Sequence, residues 1–298
     1  MKPLVHIGYP KTATTWFRTR FYPMVRDAFF VDRKTINPII VKTDLANFNK
    51  SIIIEKLQIP KSNQLILCSE TLMGHISDGS TNWKYSKENA IKLKELFPDS
   101  NIVIFIRNQQ ELITSAYIQY IKNGGNYSIN KYLYSNENLF RFDHLEFDKK
   151  LAHYIQIFGR ENIHIYVYED FIKDRKAFLE KYIAKFQLEI NFKNLNLVQV
   201  NSRIKSNFIP LKRFANCFIK KNSIKFKHRL FYIPLVNRMV DFYIKQTSNT
   251  FLAGEIATSE KILGAKNIAY IKNYYAQSNL NLIKIIDVEQ LKQYKYLS

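Results

Sequence analysis

The stretch VHIGYPKTATTWFRTRF, residues 5–21, runs from a short apolar segment through a glycine, a lysine and a cluster of threonines into an aromatic segment. Read as strand, tight loop and helix, it opens an α/β unit whose loop is built to hold an anion. The first N–H groups of a helix have no partner within it, and the helix dipole adds positive potential at that end. A loop for ATP or GTP has the form G-x-x-x-x-G-K-[ST], with its lysine after the second glycine. Here Lys11 comes three residues after Gly8, and Ala13 takes the second glycine's place. No Lys-Ser/Thr pair stands at the helix start to hold a magnesium-bound phosphate tail, which disfavours an ATPase or kinase.

Working outward, four apolar, β-branched runs read as buried parallel strands: PLVHIG (3–8), QLILCSE (64–70), NIVIFIR (101–107) and NIHIYVYE (162–169). Helical patterns lie between them. One covers 14–29, with Pro23 expected to kink or end it. Another covers 86–98, with Ser86 as its cap and Pro98 as its stop. A third, 109–125, ends in paired glycines, and a fourth, 146–162, ends around Gly159. Strands alternating with helices predict an α/β fold, a three-layer αβα arrangement around a central, mostly parallel sheet. Beyond about residue 190 helical periodicity takes over, as in SEKILGAKNIAYIKNYYAQSN. The expected organisation is one domain, 1–298, with an α/β core over 1–190 and a helical C-terminal section over 191–298 packed on it.

The chain has 298 residues, of which 46% are hydrophobic, enough for a substantial core and against wholesale disorder. Its formal net charge of +20 suits polyanions, acidic sugars, nucleotides or an anionic membrane leaflet. Cys68 and Cys217 offer neither a disulfide framework nor metal-ligand spacing, which favours a reducing compartment. No apolar run approaches the length of a membrane span, and no long apolar segment precedes the first strand. A cytoplasmic protein is expected, with peripheral contact at the inner membrane surface as an option. The stretch 212–245 carries many Lys and Arg but only Asp241 as an acid, interleaved with Phe, Tyr, Ile and Leu. It fits an acidic glycan or an anionic membrane, or else a pair of core helices with a solvated basic face, broken near Pro234. Nucleic acid is not expected, because zinc spacing, an aromatic RNP string and a recognition helix are all missing.

The string YPKTATTW, residues 9–16, resembles the 5′-phosphosulfate loop Y-P-K-[ST]-G-T-T-W of sulfotransferases that use 3′-phosphoadenosine 5′-phosphosulfate (PAPS). Ala13 is the one departure. A methyl group is tolerated there if the residue has negative φ, and is strained if the loop needs positive φ. The family also has a 3′-phosphate element, an arginine at a strand end and a serine eight residues later on the next helix. Arg107 and Ser115 stand in that relation. The resemblance covers the first 120 residues well, and the C-terminal half more loosely resembles the helical ends of bacterial members.

The resemblance implies a P-loop-like sulfotransferase fold, PAPS as donor and its desulfated bisphosphate, PAP, as product. Pro10, Lys11, Thr12, Ala13, Thr14 and Thr15 would surround the 5′-phosphosulfate, with Lys11 beside the oxygen that bridges sulfur and phosphorus. Arg107 and Ser115 would hold the 3′-phosphate. Trp16 belongs to the same string, although its place reads as a packing residue of the first helix. Arg203 or Lys205, in QVNSRIKSNF (199–208), would come from a loop closing over the nucleotide. No metal is needed where lysine, arginine and helix N-termini supply the charge. The acceptor is expected to be a carbohydrate or glycolipid hydroxyl.

Transfer to an alcohol also needs a base, sought at the carboxyl end of a strand beside the first. Glu70 ends the strand QLILCSE and His75 follows it. Carbohydrate enzymes resembling this chain often place a glutamate in this region, and the small-molecule enzymes use a histidine. Glu70 is the preferred reading and His75 the second. His6, within the first strand, reads as a core residue or one supporting the site. Two rival functions stand beside this one: a kinase-like phosphotransferase on the same core, and a non-catalytic protein that binds polyanions or membranes.

Overall fold

The computed structural model describes residues 1–60, 64–74, 83–191, 195, 197, 205–218, 233, 235–247, 250 and 253–297. Strands β1 (Leu4–His6), β2 (Ala28–Asp32), β3 (Gln64–Cys68), β4 (Asn101–Ile106) and β5 (Ile163–Val167) form a parallel sheet in the order β2-β3-β1-β4-β5. β1 lies at its centre, with Val5 opposite Leu67 of β3 and Ile102 of β4.

Successive residues point to opposite faces. Val5, Leu67, Ile102 and Ile104 enter one core, while Leu4, Ile66, Val103 and Phe105 enter the other. Both faces are buried, which explains why the strands read as continuous apolar runs rather than alternating ones. The second face is covered by α1 (Thr14–Trp16), which continues as π-helical Phe17–Phe21, and by α8 (Tyr168–Lys173) and α9 (Arg175–Phe186). Its packing is aromatic, with Phe17 5.2 Å from both Phe105 and Phe171, ring to ring.

The first face carries α2 (Arg33–Ile36), α3 (Lys50–Leu57), α4 (Lys84–Leu96), α5 (Gln109–Lys122), α6 (Ile129–Tyr134) and α7 (Phe147–Phe158). From the C-terminal section, α12 (Ser259–Asn281) and α13 (Val288–Gln293) join the same core through Ile271, Tyr275, Leu291 and Tyr296. Helix α10 (Phe208–Ala215) leads to Asn216, whose amide donates to the Ile121 carbonyl in the last turn of α5 at 2.8 Å and to the Gly125 carbonyl just past it at 2.7 Å. Helix α11 (Val236–Thr247) packs on α10. The result is the three-layer αβα arrangement with a parallel sheet and a helical C-terminal section. Among the described residues no helix is long and apolar enough to cross a membrane.

Two local readings need correcting in their details. The helical structure over 14–29 ends at Pro23 as expected, in the 3₁₀ turn Tyr22–Met24, but residues 28 and 29 are not helical: the chain reverses at Asp27 (φ 54°) into edge strand β2. Ser86 is not a cap. Helix α4 begins two residues earlier, and Ser86 lies buried in its first turn with its hydroxyl 3.4 Å from that of Tyr154.

The strand order fixes where a ligand can sit. The chain leaves β1 toward β2 by way of α1 on one face, and leaves β3 toward β4 by way of α4 on the other. The connections diverge and leave a crevice at the carboxyl ends of β1 and β3, where open α/β sheets bind their ligands.

Candidate active site

The loop from Gly8 to Ala13 fills this crevice. Thr12 is fully buried, and its hydroxyl donates to the Tyr9 carbonyl at 2.5 Å, folding the loop on itself. Lys11 and Ala13 both adopt left-handed conformations, with φ of 68° and 65°. The loop therefore does require positive φ at Ala13, and the methyl group there costs about 1 kcal/mol relative to glycine. A Cβ on Gly8 would fall 2.9 Å from both His6 Nε2 and Thr14 Oγ1, so only glycine fits between them. No side chain caps the helix start at Ala13.

Arg107 joins this loop to the next unit. It leaves the end of β4 with only 6% of its surface exposed. Nη1 donates to the Lys11 carbonyl at 3.0 Å and Nη2 to Glu111 Oε2 at 3.2 Å, while the guanidinium stacks 4.7 Å from the Tyr168 ring centre. Lys11 Nζ donates to Gln119 Oε1 at 3.3 Å. Residues four apart share one face of a helix. Glu111, Ser115 and Gln119 therefore form one row on α5, and its outer members touch Arg107 and Lys11. Half-buried Ser115 lies between them in that row.

Glu70 approaches from β3. Its Oε1 is 2.5 Å from Arg33 Nη1, which comes from the start of α2. The pKa of Lys11 is lowered, first by burial and then by the Lys122 and Arg107 charges, with Glu70 acting in the opposite direction. Glu70 is thus near enough for its charge to bear on the lysine. The arrangement is a desolvated ammonium, a buried guanidinium and a carboxylate at the ends of three adjacent strands.

The fit to an anionic ligand rests on what is left unbonded. His6 Nε2, Thr14 Oγ1, Glu70 Oε2 and Arg107 Nε are buried and have no hydrogen-bond partner among the described residues. All four sit at or just beyond the carboxyl ends of β1, β3 and β4. Other buried atoms away from the crevice, such as Arg175 Nε and His153 Nε2, also lack partners; of the four here, Thr14 Oγ1 and Arg107 Nε are the donors that an anion at the loop would satisfy. His6 itself lies in the core, bonded through Nδ1 to the Tyr22 hydroxyl at 2.9 Å, and burial lowers its pKa to about 3.

The remaining sequence candidates fall in different places. Trp16, 4% exposed, packs with Phe17, Phe21 and Phe171. Pro10 is half-buried within the loop and Thr15 is half-buried in α1. His75 and Arg203 lie outside the described residues, and Lys205 forms an isolated bridge with Ile256. No group of three or more His, Cys, Asp or Glu among the described residues could hold a metal ion. Arg33, Glu111, Gln119, Tyr168 and Ser259 were not anticipated. The spacing of Glu111 and Gln119 around Ser115 is a helical signal that could have found two of them.

No protein-family profile matches the chain, and no curated protein matches its sequence. Among solved structures it is similar to a sulfotransferase from Alicyclobacillus acidocaldarius, at 14% identity over 67% of this chain and 87% of that one, with a TM-score of 0.48. The likeness is distant, and the case for function comes from the residues themselves.

Proposed function

We propose that this chain is a PAPS-dependent sulfotransferase acting on a carbohydrate or glycolipid hydroxyl. The observation that carries the reading is the meeting of Lys11, Arg107 and the Ser115 row around one loop, with buried Arg107 Nε and Thr14 Oγ1 still lacking partners. A bisphosphate nucleotide would meet those needs at two points, its 5′ end at the loop and its 3′-phosphate at Arg107 and Ser115. Arginine's planar fork suits phosphate oxygens.

In the transfer, the bond from sulfur to the bridging oxygen breaks and a bond from sulfur to the acceptor oxygen forms. Lys11 meets the charge that develops on the departing phosphate. Glu70 accepts the acceptor's proton, and Arg33 holds its other oxygen in place.

The test is ligand preference. Adenosine 3′,5′-bisphosphate without magnesium should stabilise the protein by about 2.7 kcal/mol at a hundred times its Kd. Stabilisation by Mg-ATP alone would point to a kinase and overturn the reading. Labelled PAPS with a panel of glycans and glycolipids then identifies the acceptor.

A further inference from the structure

The basic stretch 212–245, which the site does not use, runs into α11. Its inner row, Val236, Val240 and Ile244, is half-buried, and Asp241, its sole acid, pairs with Lys212 of α10 at 2.5 Å. The opposite side is apolar and open. Leu235, Met239 and Phe242 follow helical spacing and are 58%, 67% and 64% exposed, with Tyr243 beside them. Arg238 and Lys245 stand along one edge of this stripe, by their positions on the helix.

A large apolar stripe with an aromatic at its centre and cations at its border is the pattern of a helix that lies in a membrane interface. The charge of this part of the sequence selects the kind of surface. Residues 212–245 contain nine Lys or Arg against one acid, already neutralised by Lys212, and the whole chain carries +20. Anionic lipid headgroups complement such a segment, and its apolar stripe would be left idle by a purely polar polyanion. We infer that α11 is an interfacial helix that docks the protein on an anionic lipid surface, with Met239 and Phe242 entering the acyl boundary and Arg238 and Lys245 at the headgroups. This inference does not depend on the transfer chemistry.

Vesicle co-flotation of the full chain tests it, comparing pure phosphatidylcholine with phosphatidylcholine doped with phosphatidylglycerol. The wild type should float with the doped vesicles at least tenfold better than with the neutral ones, and less so as salt is raised. Met239→Glu/Phe242→Glu should lose that binding while keeping its melting temperature and its affinity for adenosine 3′,5′-bisphosphate. Arg238→Glu/Lys245→Glu should lose the preference for doped vesicles. Equal flotation with both vesicle types, or flotation unchanged in the first double variant, would overturn the proposal. So would a lipid-free dimer of the wild type that the same variant dissolves, because the stripe would then belong to a second copy of the chain. Retention on an acidic polysaccharide without any vesicle binding would likewise overturn it.

Discussion

Ser259, the first residue of α12, donates to Glu111 Oε1 at 2.6 Å, while the other oxygen of Glu111 accepts from Arg107 at 3.2 Å. The C-terminal section thereby sets the angle of an arginine at the centre of the sheet's edge. Ser259→Ala removes one donor from a half-buried carboxylate, at a cost of about 1 kcal/mol. If that cost bears on Arg107, affinity for adenosine 3′,5′-bisphosphate should fall several-fold while affinity for adenosine 5′-phosphate stays level. Arg107→Lys, which loses the fork, should lower the same ratio by about tenfold or more. Calorimetric titration with both nucleotides decides it, and equal losses for both would reduce Ser259 to a packing role.

Lys11 is carried at a cost in the fold. Its folded pKa lies below the ordinary 10.5, so the cost is fully present below the folded value and disappears as pH rises past the ordinary one. Lys11→Gln should therefore leave the melting temperature at neutral pH unchanged or higher, while turnover with PAPS drops by about 10²–10³. A variant that melts earlier and still turns over would contradict both halves.

Glu70→Gln keeps the shape of the side chain and removes the base. The expected result is a fall in kcat of about 10²–10⁴ with nucleotide affinity unaltered. Single-turnover kinetics alongside a nucleotide titration separates these quantities. Retained kcat would transfer the role to another group.

Two substitutions in the loop should move stability in opposite directions. Gly8→Ala drives a methyl group against His6 and Thr14 at 2.9 Å, costing about 1–3 kcal/mol. Ala13→Gly relieves a left-handed alanine at φ 65° and should raise stability by about 1 kcal/mol. Thermal melts of the pair are sufficient to check the signs.

His6 should govern part of the acid limb. Its folded pKa of about 3 lies below the ordinary 6.5, so the unfolded chain binds the extra proton first and stability falls as pH drops below 6.5. At pH 5 the loss relative to neutral is about 2 kcal/mol. His164, lowered to about 4 chiefly by burial, acts in the same direction. His6→Phe should flatten the slope between pH 6.5 and 5 even where it lowers stability at pH 7, as denaturant melts across that range would record.

Four of the strands were legible because burial on both faces writes them as unbroken apolar runs. Strand β2 was not, since AFFVD follows an aromatic helix and its three central residues extend that pattern. Only the turn at Asp27 and pairing with β3 make it a strand. The same edge delivers Arg33 to Glu70, a contact across 37 residues with no local signal. Arg107 and Ser115 could be read because strand end and helix face follow one another in the chain. The tie from Glu111 to Ser259 spans 148 residues and depends on how α12 returns to the sheet. The requirement for positive φ at Ala13 came from the backbone, not from the string of residue types.

The loop after β1 is fastened to itself by Thr12 and to β4 by Arg107, by bonds within the protein. Its ordering entropy, about 1–2 kcal/mol per residue, is thus spent during folding. An arriving anion meets a rigid socket, and its capture rate is set by diffusion and by the steering of a strongly cationic chain. On the proposed function, discrimination among nucleotides would then reside in how long each one stays.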